Sequence, residues 1–222
     1  MKKLPVILVL LVVATSLAFA STPGRRMRPM HQRPARVTTR TIIGHAQVRT
    51  MPAMTVAVVT QKAAEYAPRT GYRPGSEGVI QAYRAMMNNG LEQLKAWKKK
   101  NAGRTSGPAF SIYPQDPSRT PTKELTCQVG YPVTKGAKAS KSVSIEQVPA
   151  CTVAVVRYKG PYESSMQVWG TLGKWIEDNG YKPVGAPTEV FLRSPADRIP
   201  PDQYVTEIRL PVVKIPVQWG RR

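Results

Sequence analysis

Few side chains in this sequence could do chemistry, and what is missing narrows the choice. Histidine occurs only at His31 and His45, and cysteine only at Cys127 and Cys151. Both histidines sit in or near a basic N-terminal stretch, and neither cysteine has a histidine nearby. A histidine-based triad or a zinc site of the usual kind is therefore not expected. No phosphate-cradling glycine loop or dinucleotide fingerprint is present, and no cofactor or metal is expected. What remains is a carboxylate, Glu207, in the string Thr206-Glu-Ile-Arg-Leu-Pro-Val212. On a predicted strand it shares a side with Val205 and Arg209, while Thr206, Ile208 and Leu210 take the other. Exposed, it pairs with Arg209 or a cross-strand base. Facing aromatic walls, its pKa rises through desolvation and falls again beside a bound cation. In that setting it could neutralise a cationic ligand or act as a general acid or base. Tyr162, closing a Gly160-Pro161-Tyr162 turn, either presents its ring and hydroxyl beside that carboxylate or caps the sheet.

The elements that must hold these residues are written twice. PAMTVAVVT at 52–60 and PACTVAVVR at 149–157 agree at seven of nine positions, 97 residues apart. In the second copy, Val143–Val148 and Thr152–Tyr158 predict a strand bent at Pro149-Ala150. Gly160-Pro161 then breaks it, and Val168, Trp169, Leu172, Trp175 and Ile176 recur at helical spacing from Ser164 onward. Asn179-Gly180 stops the helix, and strands are predicted at Glu189–Arg193 and Tyr204–Pro211. The first copy repeats the order: a bent strand at Gln47–Thr60, a helix at Glu77–Asn101, strands at Ala109–Tyr113 and Glu124–Tyr131. The inner helix face is expected to carry Ile80, Tyr83, Met87, Leu91, Leu94 and Trp97. Leu94, Trp97, Asn101 and Gly107 match Leu172, Trp175, Asn179 and Gly185, 78 positions later, so about 19 extra residues around Ala67–Gly78 read as an irregular loop. One such unit has exposed strand edges, and two can pair into one sheet with the helices on it. The predicted fold is α+β. It has two strand-helix-strand-strand modules in pseudo-two-fold arrangement, a mainly antiparallel sheet and a ligand cleft between the halves, with the repeated strand near the axis.

The copies are not equivalent. Glu207 corresponds to Gln128, so a carboxylate doing chemistry is kept on one side only. Trp175 matches Trp97 and reads as core, whereas Trp169 matches Leu91 and reads as a pocket wall. Glu163 is explained by its place in a first helical turn.

The second copy resembles the GyrI-like (gyrase-inhibitor-like) small-molecule-binding domain, which also forms the effector-binding part of some bacterial transcription activators. The resemblance rests on Gly160-Pro161-Tyr162, the Trp169/Leu172/Trp175 helix, Asn179-Gly180-Tyr181, Glu189-Val190-Phe191-Leu192 and the closing Thr206–Val212 string. It implies a cleft lined by aromatic side chains, with a glutamate on the last strand that maps onto Glu207. It also implies lipophilic, often cationic ligands, and in some stand-alone relatives hydrolysis of strained cyclopropane-containing compounds. The ligand-binding set expected on this basis is Glu207, Tyr162, Trp169, Tyr158 and Phe191, with Glu207 and Tyr162 the catalytic pair if the protein is an enzyme. From the residues alone, Phe191 and Tyr181 read as packing rather than as ligand contacts. Heme carriers of the SOUL type share a similar duplicated architecture and form a further alternative.

The ends and the charge bound the partners. Lys2-Lys3, an apolar run from Leu4 to Val13 and Ala18-Phe19-Ala20 read as a signal peptide cleaved near Ala20, with an uncleaved anchor as the alternative. The expectation is an exported protein, periplasmic or secreted. Residues 21–46 form a basic leader, 47–213 the duplicated domain (modules 47–133 and 143–213), and 214–222 a basic tail. The net charge of +20 is unevenly spread: residues 21–50 hold seven arginines and no acid, while 143–213 hold seven bases against eight acids. The leader could rest on an anionic envelope polymer or lipid, or be a solvated segment. Nucleic-acid binding is not expected, because no recognition signature accompanies the charge. Cys127 and Cys151 could form a disulfide after export, or be two small buried side chains, as the match of Cys151 to Met54 suggests. The internal repeat predicts a monomer.

Overall fold

The computed structural model describes residues 42–66 and 76–216. The stretch read as a signal peptide and most of those read as basic leader and tail lie outside the described residues, as does most of the loop expected at 67–78. Each copy begins with an apolar strand bent at Pro-Ala. β1 (Ile42–Met51) and β2 (Met54–Lys62) flank Pro52-Ala53, and β5 (Ser144–Val148) and β6 (Cys151–Lys159) flank Pro149-Ala150. β1 starts inside the stretch read as leader. Helix α1 (Ser76–Lys100) and helix α2 (Ser165–Asp178) follow, then β3 (Phe110–Ile112) and β4 (Thr126–Pro132) in the first copy, and β8 (Thr188–Arg193) and β9 (Val205–Lys214) in the second. A short β7 (Tyr181–Pro183) pairs with β9.

The main sheet runs β1-β6-β9-β8-β3-β4-β2-β5, wholly antiparallel. Under the exchange of copies this order is a palindrome, so a pseudo-two-fold axis passes between β8 and β3. There the cross-strand pair is Ser111 opposite Glu189, which are each other's equivalents at the 78-residue offset. The bends also meet: Met51 lies opposite Cys151 and Met54 opposite Val148. The repeated strands therefore begin at the axis, and each opening half-strand pairs with the other copy's second half. This exchange covers the edges that a single module would expose.

Packing repeats with the sequence. Asn101 and Asn179 each donate a side-chain hydrogen bond to the carbonyl of Trp97 and Trp175, at 3.2 and 2.8 Å, closing the two helices. Gly107 and Gly185 each sit beneath a proline ring, where a Cβ would come 3.2 Å from Pro132 and 3.0 Å from Pro211. One core joins Ala82, Met86, Leu94 and Trp97 of α1 to Ala57, Val59 and Val129. Its counterpart joins Val168, Leu172 and Ile176 of α2 to Ala154, Val156, Ile208 and Leu210. On the opposite face Val56, Val58, Phe110 and Val190 form a third cluster. Gly130, in β4, is where that cluster is tightest: a Cβ would lie 2.6 Å from the Ala57 carbonyl oxygen and 2.8 Å from the Phe110 ring. Backbone cannot yield there, so Gly130→Ala is expected to cost about 2–3 kcal/mol, measured by urea unfolding. Cys127 and Cys151 are both free thiols. Burial, the main cause, pushes the Cys127 thiol up to about 12.

Candidate functional site

Because α1 and α2 stand on the same face on either side of the pseudo-axis, a cleft of about 2280 Å³ opens between them. Its floor is the axial pair of strands. Alternation sends Phe110 and Ile112 of β3 and Val190 and Leu192 of β8 into the opposite face, leaving Tyr113, Glu189 and Phe191 on the cleft side. The apolar positions of α1 divide into two stripes. Ala82, Met86, Leu94 and Trp97 enter the core, whereas Ile80, Tyr83, Met87 and Leu91, expected on the inner face, form the cleft wall. The first turns of α1 have no counterpart in α2, so the longer helix of the first copy supplies a wall that symmetry alone would not. Tyr162 and Trp169 provide the opposing wall.

The cleft has one fully enclosed acid. Glu189 is buried and accepts hydrogen bonds from Trp169 Nε1 at 3.0 Å and Tyr113 Oη at 2.9 Å. Burial raises its pKa; the bonds from Trp169 and Tyr113 oppose but do not cancel that effect. Burial, with the Glu189 charge as the next cause, pushes the Tyr113 phenol well up, so this hydroxyl stays protonated and keeps donating. Around the carboxylate the rings interlock: Tyr83 meets Tyr113 edge-on at 4.9 Å, and Tyr162 meets Phe191 at 5.3 Å and stacks on Tyr204 at 5.2 Å. A buried carboxylate among aromatic faces suits an apolar cation, which gains both from the charge and from the ring quadrupoles. Arg84 Nη2 of α1 and Glu163 Oε1, in the turn that precedes α2, form an ion pair at 2.7 Å.

The expected site residues separate. Tyr162, Trp169 and Phe191 line the cleft as anticipated. Tyr158 does not: with Ala154 and Val156 it faces α2 and is sealed beneath it. Glu207 does not either. It is fully buried, but its neighbours Ile208 and Leu210 take the helix-facing positions, so its carboxylate lies on the reverse face. There Arg157 Nε and Arg209 Nε bond it at 2.7 Å each, and Arg49 Nη1 approaches to 3.3 Å. Burial alone would raise the Glu207 pKa, but hydrogen bonds from Arg157 and Arg209 and the charges of Arg209 and Arg49 outweigh it and bring the value down. The acid sheltered by rings is Glu189, which the sequence reading placed only on a short strand. The signal was present: extending the 78-residue match four positions beyond Gly107/Gly185 pairs Ser111 with Glu189, a carboxylate kept in one copy only. Among the described residues no three His, Cys, Asp or Glu side chains gather as a metal site.

Comparison with known proteins gives the family and the fold. Residues 45–213 match the GyrI-like small molecule binding domain, and the chain belongs to that family. The fold is similar to the C-terminal domain of EcmrR (TM-score 0.56, 24% identity, 77% of this chain and 98% of that one). It is also similar to EcmrR in its complex with DNA (TM-score 0.59, 23% identity), where the match covers 77% of this chain and 58% of EcmrR. SAV2435 bound to tetraphenylphosphonium is a further neighbour (TM-score 0.53, 14% identity, 77% and 94% covered). A search of curated proteins by sequence gives no match.

Proposed function

We propose that this is an exported binding protein for a bulky, lipophilic cation, held in the inter-helix cleft with Glu189 as counter-ion. The observation that carries the reading is the enclosed Glu189 carboxylate, fixed by Trp169 and Tyr113 within aromatic walls. It takes over the role expected of Glu207. The cleft exceeds the roughly 300–1,000 Å³ of an ordinary ligand pocket, which favours large ligands. SAV2435, a neighbour in fold, has a structure bound to tetraphenylphosphonium, a cation of this kind. Export rests on the N-terminal pattern of Lys2-Lys3, the apolar run and Ala18-Phe19-Ala20, and N-terminal sequencing of the protein recovered outside the cytoplasm tests it.

Titration with tetraphenylphosphonium, followed by tryptophan fluorescence, is expected to give saturable quenching, because Trp169 touches the carboxylate directly. Affinity is expected to rise with pH through the raised Glu189 pKa, since the cation and the proton compete for one carboxylate. No saturable signal, or an affinity independent of pH between acid and neutral conditions, would count against the assignment. The Tyr113–Glu189 hydrogen bond also supplies the acid/base pair that a hydrolase would need. Mass spectrometry of a strained cyclopropane-containing ligand over time distinguishes turnover from retention.

A further inference from the structure

Glu207 and its three arginines play no part in the cleft, yet they hold more positive charge than one buried acid requires. The geometry points to a second binding site, for a phosphate-type oxyanion, on the sheet face opposite the cleft, built by Arg49, Arg157 and Arg209. These residues come from three adjacent strands. Arg157 lies opposite Glu207, Arg209 opposite Val155 and Arg49 opposite Val153, so all share one face. Glu207 has no exposed surface, whereas the side chains of Arg157 and Arg49 are 46% and 35% exposed. The acid is thus the base of the site and the guanidinium groups are its rim.

The donors are only partly used. Among the described residues, Glu207 is the sole acceptor for all three side chains. Arg157 gives it Nε, Arg209 gives Nε and Nη2, and Arg49 gives Nη1. Among the described residues, both η nitrogens of Arg157 and the Nε and Nη2 of Arg49 have no protein acceptor. Glu207 thereby holds the Nε edge of Arg157 and leaves its η nitrogens for a further oxyanion. Three guanidinium charges against one carboxylate leave a surplus of two. That matches a phosphate group, which carries about −1.5 to −2 near neutral pH, better than a single carboxylate. Lys159, one more base on this face opposite Val205, adds to the same field.

The other module shows that packing does not demand this arrangement. The equivalents of Arg49, Arg157, Arg209 and Glu207 are Glu146, Thr60, Gly130 and Gln128. There Glu146 accepts a hydrogen bond from the Ser144 hydroxyl at 2.6 Å and no cluster of bases forms. Both modules build the same sheet, and only one concentrates arginines.

The test uses the full chain and inorganic phosphate at constant ionic strength, following the arginine Nε–H resonances by NMR. Arg49 and Arg157 signals are expected to shift and saturate with phosphate and to stay unmoved by chloride. The Arg49→Gln/Arg157→Gln pair is expected to lose the response while retaining tetraphenylphosphonium quenching in the cleft. Glu207→Gln, which removes a competing negative charge, is expected to bind phosphate about tenfold more tightly. Arg157→Lys keeps the charge but not the fork, and serves if the double variant fails to fold; it is expected to weaken binding. A parallel sedimentation with phosphatidylcholine vesicles, with and without phosphatidylglycerol, separates a free phosphate ester from a lipid headgroup. Arginine-dependent binding in either arm supports the site and names its source. Absence of a saturable response in both arms, or binding indifferent to the arginine substitutions, overturns it.

Discussion

Glu189→Gln is expected to weaken tetraphenylphosphonium binding roughly 100-fold, or about 3 kcal/mol, which is typical for removing one partner of a buried charge pair. Glutamine keeps the volume and one acceptor oxygen but removes the charge. The hydrogen bond from Trp169 Nε1 can persist, and Tyr113 can turn its hydroxyl toward Met87 Sδ, 3.6 Å away. The cleft therefore stays formed, so the loss reports charge and not collapse. The same substitution should raise stability at neutral pH. Native Glu189 has a pKa above its unfolded value, so between those two values the native state holds the extra proton and stability falls as pH rises. The amide has no such dependence. Isothermal titration for affinity and thermal melts across pH check both halves, and a variant that lost binding and also melted lower would argue for a structural role instead. A binding site that holds its acid ready at the expense of stability is a common trade.

Glu207→Gln is expected to move stability the other way, by about 3–5 kcal/mol at neutral pH, because it leaves three arginines crowded around an uncharged centre. Here the native pKa lies below the unfolded one, so the stabilisation is complete above the ordinary carboxylate range. It disappears as pH falls through the lowered native value. Urea unfolding of parent and variant should therefore differ most at neutral pH and converge in acid. Cation binding in the cleft is expected to be unchanged in the variant where it remains folded. Equal stability of the two proteins at neutral pH would show that the ion cluster contributes nothing net.

Much of the architecture was legible before any coordinates. The repeated string, the helix stops at Asn101 and Asn179 and the matched glycines 107 and 185 are local signals that recur at equivalent places in the fold. The helices expected at Glu77–Asn101 and from Ser164 lie at Ser76–Lys100 and Ser165–Asp178. The site was harder to read. Tyr162 and Trp169 stood out because their equivalents, Glu65 and Leu91, are not aromatic, whereas Phe191 matches Tyr113 and gave no such signal. Glu207 was misplaced although its strand held the correction: Ile208 and Leu210 had to meet the helix, so the alternate positions Glu207 and Arg209 could not.

The sequence by itself determined that one module was written twice, which elements each copy contains, and that the copies differ at acidic positions such as Glu207 and Gln128. Those are local properties, carried by periodicity, turn residues and differences between aligned positions. Only the tertiary structure decided which carboxylate the cleft encloses. Alternation along a strand says which side chains share a face, but the packing of α1 and α2 chooses which face becomes cleft and which becomes the reverse. That choice put Glu189 among rings on the pseudo-axis and Glu207 among arginines behind it.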